Sequence, residues 1–328
     1  MSGKRTARGA ALGLALALLL PQLLTSCQVM SQPTPMGLQY YDFEREVLGR
    51  QVRIDLYAMD ATQAETAARA AFSRVADVEQ RANDQHGISE LRTAAAAAGV
   101  WIHVSADLFR MLEIALETAR LSQGAFDPTV GPYVMLWNET RARGVLPPAN
   151  RLEAAGRKVG WERVELDGQR RSLRVTESGM RLDLDALLHG YACDAALDAL
   201  GEHDIVAARV QLGRTTAVSG EPPGEAGWLI TVPAPEGGTR GVTLSWGAVA
   251  VAGLDEQQAV VDGQSYSEVI DPRTGLGLQQ RSVAVIFERR AGVADARALA
   301  VRVLGTQEGG EWIVRNDVEG WVFEPTQP

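Results

Sequence analysis

An α+β fold is the expectation for this 328-residue chain, and three observations lead to it. Several segments carry apolar residues at helical spacing, and a larger number of short runs read as strands. The two kinds do not alternate regularly, as βαβ units would. Past residue 39, Pro and Gly are nowhere dense enough to mark a linker, so residues 40–328 are expected to form one domain.

Residues 1–26 stand apart as a targeting segment. Lys4, Arg5 and Arg8 make a basic start, and Ala10 to Leu20 is an apolar run too short to span a bilayer comfortably. Leu24-Thr25-Ser26 then precede Cys27, an apolar residue and two small ones before a thiol. That pattern predicts a bacterial lipobox, with cleavage before Cys27, lipidation of Cys27, and residues 27–39 as a tether. The expected location is the extracytoplasmic side of the bacterial cell envelope, held to the membrane by the lipid. An ordinary secretory peptide or a short uncleaved anchor is the alternative.

The chain carries 32 basic and 41 acidic residues, a formal charge of −9. Removing a segment that holds basic and no acidic residues makes the remainder more acidic still. Such a balance argues against a nucleic-acid partner and against an electrostatic grip on anionic lipid. With Cys27 lipidated, Cys193 has no disulfide partner and is expected to be a small buried hydrophobe.

In chain order, Tyr40 to Ala58 alternates apolar and polar residues as one strand or a hairpin, bent at Leu48-Gly49-Arg50. Ala61 to Asp84 is an Ala-rich helix with Ala64, Ala67, Ala68, Ala71, Phe72 and Val75 on one face. Ser105 is placed to cap a second helix whose apolar face holds Leu108, Met111, Leu112 and Ala115, with Gly124 ending it. A third helix runs from Asp185 to Leu200, stopped by Gly201. Strands are expected at Ala207 to Leu212, Trp228 to Val232, Gly241 to Ser245, Ala248 to Ala252 and Ser282 to Phe287. A helix over Val293 to Leu304 and a strand over Gly320 to Glu324 complete the series.

Two strings carry the functional signal. GAFDPTVGPYVMLW (Gly124 to Trp137) and EVIDPRTG (Glu268 to Gly275) each place Pro straight after Asp with Thr close behind. Each reads as a rigid polar turn between apolar residues, of the kind that exposes carboxylates and backbone N–H groups. LDLDALLHGYACD (Leu182 to Asp194) reads as a strand-to-helix junction. Asp295 opens the last helix. Phe126, Trp137 and Asp127 have a plainer reading, as core residues and a turn cap; Asp295 could simply complement a helix dipole.

Together these strings resemble the FAD:protein FMN transferases, the ApbE-like family, over most of residues 40–305. The resemblance implies FAD as substrate, Mg2+, and a flavin-acceptor redox protein as partner. It implies that Ala125, Phe126, Asp127, Asp183, His189 and Ile270 hold the nucleotide. It further implies metal binding by Asp295 and the backbone carbonyl of Leu188, with Glu268 and Asp271 in catalysis. Several positions depart from the family pattern. Asp185-Ala186 replace paired glycines, and His189 replaces a lysine. Leu299 replaces a metal-side threonine one turn beyond Asp295, and Glu268 a histidine. Gly213-Arg214-Thr215 stand for Gly-Gly-Asp, Val251-Ala252-Gly253 for Thr-Ser-Gly, and Leu48-Gly49-Arg50 for Met-Gly-Thr. Three readings follow: a working transferase, a non-catalytic lipoprotein that binds flavin or a partner, and a FAD pyrophosphatase-like hydrolase.

Overall fold

The structure, a computed structural model, describes residues 37–47, 50–82, 89–254 and 258–325. The targeting segment with Cys27, most of the tether and the Leu48-Gly49 bend lie outside the described residues. The chain begins with β1 (Gln39–Val47), β2 (Arg50–Ala58), α1 (Ala61–Ala82), α2 (Glu90–Ala96), β3 (Ile102–His103) and α3 (Ala106–Leu121). It continues through α4 (Gly131–Arg143), α5 (Ala149–Gly156), β4 (Val164–Asp167), β5 (Ser172–Val175) and α6 (Asp185–Gly201). Next come β6 (Ala207–Leu212), β7 (Thr215–Ser219), β8 (Trp228–Pro233), β9 (Thr239–Leu244) and β10 (Gly247–Ala252). Then follow β11 (Gln258–Val261), β12 (Gln264–Ser267), β13 (Ile270–Asp271) and β14 (Leu276–Gly277). The last elements are β15 (Val283–Glu288), α7 (Ala291–Arg315) and β16 (Glu319–Phe323).

The result is α+β, as the sequence predicts. A seven-stranded sheet in the order β1-β2-β6-β7-β10-β15-β16 forms the centre, every neighbour antiparallel. Period-2 alternation decides what each face carries. On β15, Ala284 and Ile286 face α7, whereas Val283, Val285 and Phe287 pack with Trp228, Ile230 and Val232 of β8. One face is thus covered by α1, α6 and α7, and the other by the β8–β9 hairpin.

Small residues set how closely the helices approach. Ala64, Ala67, Ala68 and Ala71 of α1 are all buried, and α1 packs on α6. Cys193 is buried in α6 without a disulfide, as expected. At the crossing of α6 and α7 a Cβ on Gly190 would lie 2.1 Å from the Ala291 carbonyl oxygen, so only glycine fits there. One turn along α6, Asp194 accepts hydrogen bonds from the backbone N–H groups of Ala291 (2.9 Å) and Gly292 (3.0 Å). These are orphan donors of a helix start, and Arg290 at the N-cap gives no side-chain cap of its own. A carboxylate from another helix therefore caps α7 and locks its first turn to α6.

Most elements fall where the sequence places them, including the cap of α3, where Ser105 Oγ accepts from the Leu108 N–H at 3.3 Å. Three differences have physical causes. The second half of GAFDPTVGPYVMLW is helix α4, not turn. Pro132 opens it, and Tyr133, Leu136, Trp137 and Thr140 form a buried stripe at helical spacing. The helix expected to end at Leu304 does break there, because Gly305 adopts φ 81° and leaves the helical region, but a further helical stretch, not foreseen in the sequence, follows it to Arg315 and is counted within α7. Asp295 accordingly lies in the second turn of α7, not at its opening.

Candidate functional site

The turn at Asp127 is built by its own side chain. Asp127 Oδ1 accepts from the Thr129 N–H (2.7 Å) and from the Thr129 hydroxyl (2.6 Å), and Oδ2 accepts from the Trp161 N–H (3.3 Å). Thr129 Oγ1 in turn accepts from the Gly160 N–H at 2.7 Å. Burial holds the Asp127 carboxyl above its ordinary range, partly offset by these donors. The turn is joined to the entry of α6, where the Asp183 N–H donates to the Pro128 carbonyl at 2.7 Å. Asp183 Oδ1 then accepts from the Asp185 N–H at 3.0 Å, at the start of α6. The plainer reading of Asp127 as a turn cap is therefore correct for its hydrogen bonds, and its position still places it on a cavity wall.

That cavity measures about 360 Å³, within the range of small-molecule sites. Ala125, Phe126, Asp127, Asp183, His189, Glu268 and Ile270 all line it, joined by Leu299 of α7. Residues far apart in sequence are thus brought to one hollow. Burial, and then the nearby Arg50 guanidinium, push the His189 imidazole down to about 4, so His189 is neutral at neutral pH. Glu268 lies at the wall with its Oε2 3.6 Å from Arg141 Nη1.

Asp271 does not line the cavity. Its carboxylate accepts from Arg273 at the backbone N–H (2.9 Å), Nε (2.9 Å) and Nη2 (3.0 Å), which rigidifies the Pro272 turn between β13 and β14. The residue braces the wall that Ile270 and Pro272 present.

Asp295 lies one helical turn from Leu299, which lines the cavity. Its Oδ2 accepts from the Gly190 N–H of α6 at 2.6 Å, and its Oδ1 accepts from the Thr215 hydroxyl of β7. Burial pushes this carboxyl up to about 7, and the two donors pull the other way. It is not the exposed, dipole-compensating residue that sequence alone allowed. Leu188 does not line the cavity, and neither does Asp295. Among the described residues no group of three or more His, Cys, Asp and Glu side chains gathers to hold a metal ion. One desolvated carboxylate suits Mg2+ only where phosphate and water complete the shell, which is the habit of that ion.

Sequence reasoning missed several contributors. Arg141 and Asn138 line the cavity, as do Asp185 and Arg50, noted in sequence only as departures from the family pattern. The stripe along α4 carried the signal for the first two. Thr215, read only as a lost aspartate, is the hydroxyl partner of Asp295.

Comparison with known proteins adds to this geometry. Residues 48–322 match the family model described as the ApbE family. The FAD:protein FMN transferase of Treponema pallidum is 28% identical over 302 residues, covering 86% of this chain and 83% of that one. The protein of the same name from Chlamydia trachomatis is 28% identical, covering 90% and 92%. Among solved structures, the apo flavinyl transferase ApbE of Pseudomonas stutzeri superposes with a TM-score of 0.78 at 22% identity, covering 86% and 90%. The ApbE protein of Thermotoga maritima gives a TM-score of 0.75 at 26% identity, covering 88% and 97%. With the matched family model spanning most of its length, this chain belongs to the ApbE family.

Proposed function

We propose that this protein transfers FMN from FAD to a Ser or Thr hydroxyl of a redox protein, releasing AMP. The observation that carries the reading is the single cavity on which Ala125, Phe126, Asp127, Asp183, His189, Glu268 and Ile270 converge. The acceptor hydroxyl oxygen attacks the FMN-side phosphorus, the bond from that phosphorus to the oxygen of AMP breaks, and AMP leaves. Glu268, at the wall and 3.6 Å from Arg141, would take the hydroxyl proton. Phe126 and Ala125 supply an apolar surface for a ring, and the start of α6 supplies backbone dipoles for phosphate. Asp295, with the Leu188 carbonyl, would hold Mg2+, which neutralises phosphate charge.

Incubating the protein with FAD, Mg2+ and a flavin-acceptor domain should yield covalent flavin fluorescence on that domain, with AMP in equal amount. FAD binding without transfer would instead support the non-catalytic reading, which Leu299 favours because it presents no oxygen to the cavity. Hydrolysis to FMN and AMP with no labelled acceptor would support the hydrolase.

We also infer that the chain works at the extracytoplasmic face of the envelope, anchored through a lipid on Cys27. Cys27→Ser is expected to shift it from the membrane fraction to a soluble or unprocessed form. An unchanged membrane fraction, with no lipid mass on Cys27, would remove the anchor from the account.

A further inference from the structure

The transferase reading requires a cation for the FAD diphosphate, and the cavity's charges narrow the choice. Its wall carries Asp127, Asp183, Asp185 and Glu268 against two arginines, Arg50 and Arg141. Arg141 is committed on the α4 side: its Nη1 lies 3.6 Å from Glu268, and its Nη2 donates to Asn138 Oδ1 at 2.9 Å. Arg50 is exposed, opens β2, and lines the cavity beside Asp185, Ala186 and His189 of the first turns of α6. Its field reaches both His189 and the buried Glu79 of α1. Among the described residues no carboxylate stands within salt-bridge distance of Arg50.

The position joins two favourable features. The start of a 17-residue helix carries the positive end of its dipole. A guanidinium next to it adds a permanent charge and a planar fork that matches two phosphate oxygens at once. Imidazole at position 189 cannot do this, since it offers at most one N–H while neutral. We propose that Arg50 is the phosphate-facing cation of this cavity, binding the diphosphate of the flavin dinucleotide. The assignment rests on the FAD reading above and adds to it a residue from a different element than the one at which a lysine would stand. The rigid β1–β2 pairing, which runs to Val47↔Arg50, carries the side chain to that place.

Titrations of FAD, FMN and riboflavin into the full chain, its Arg50→Gln variant and its Arg50→Lys variant test this. Arg50→Gln is expected to weaken FAD about ten- to a hundredfold, the scale of one charge-assisted contact. Riboflavin, which has no phosphate, should bind as before, and Arg50→Lys should recover part of the FAD affinity. The salt dependence of FAD binding should also flatten in Arg50→Gln. Equal weakening of riboflavin and FAD would overturn the assignment, because a phosphate contact cannot produce it. So would unchanged FAD affinity in Arg50→Gln while the parent chain binds FAD. If the parent chain binds no FAD, the transferase reading itself falls and takes the assignment with it.

Discussion

Asp295→Asn is expected to abolish Mg2+-dependent flavin transfer, by about a hundredfold or more if the carboxylate is a metal ligand. The structure makes this a discriminating change. Asparagine can still accept from the Gly190 N–H through its oxygen, and its amide can donate to the Thr215 hydroxyl. Both bonds that tie α7 to α6 and β7 therefore have a substitute, and the melting temperature should move little. What disappears is the negative charge. In the unsubstituted chain Mg2+ should bind detectably only with FAD present, since no group of three or more ligating side chains gathers among the described residues. Leu299→Thr should tighten that binding and raise transfer, because residue 299 lines the cavity one turn beyond Asp295. Calorimetry with Mg2+, with and without FAD, checks both variants. Should Asp295→Asn leave Mg2+ dependence and transfer untouched, the carboxylate is a brace of the fold and nothing more.

Gly190→Ala should produce the largest loss of stability of any single methyl added to this site. The added Cβ would meet the Ala291 carbonyl oxygen at 2.1 Å and the Gly292 nitrogen at 2.8 Å. Both are backbone atoms of residues whose N–H groups Asp194 holds, so neither can turn aside as a side chain would. Overpacking of this kind costs about 3 kcal/mol or more when the neighbour cannot yield. The gain in helix propensity from Gly to Ala, about 1 kcal/mol, offsets only part of that. The expected result is a drop in the midpoint of denaturant unfolding, with FAD affinity falling as the α6–α7 crossing opens. A variant as stable as the parent would mean that the two helices leave room for a methyl group at their crossing.

The two variants bear on one junction, and that junction separates what was legible in the sequence from what was not. Local patterns were sufficient for the α+β class, the Ser105 cap, and the strand at Ala207 to Leu212. Each depends on neighbours within a few residues, where spacing and turn chemistry speak directly. The strings around Phe126, Asp183 and Glu268 likewise supplied residues that line one cavity, because turns and a helix entry declare themselves locally. Helix α4 escaped notice because Asp127-Pro128 and Gly131-Pro132 read as a turn, although the stripe of Tyr133, Leu136 and Trp137 was present.

No local pattern could show that Asp295 is held by a hydroxyl 80 positions away in β7. Nor could it show that Asp194 caps a helix beginning 97 residues later. Such contacts exist only once α6 and α7 lie against one sheet face, and burial then raises the Asp295 carboxyl by removing its water. Arg50 follows the same logic: in sequence it is one basic residue at a bend, and only the β1–β2–β6 pairing brings it beside α6 and gives its charge a cavity to face. The sequence alone determined the fold class and the strings that build the walls. Which charges meet at those walls was decided by tertiary packing, because the energy of a charge depends on what surrounds it and not on its place in the chain.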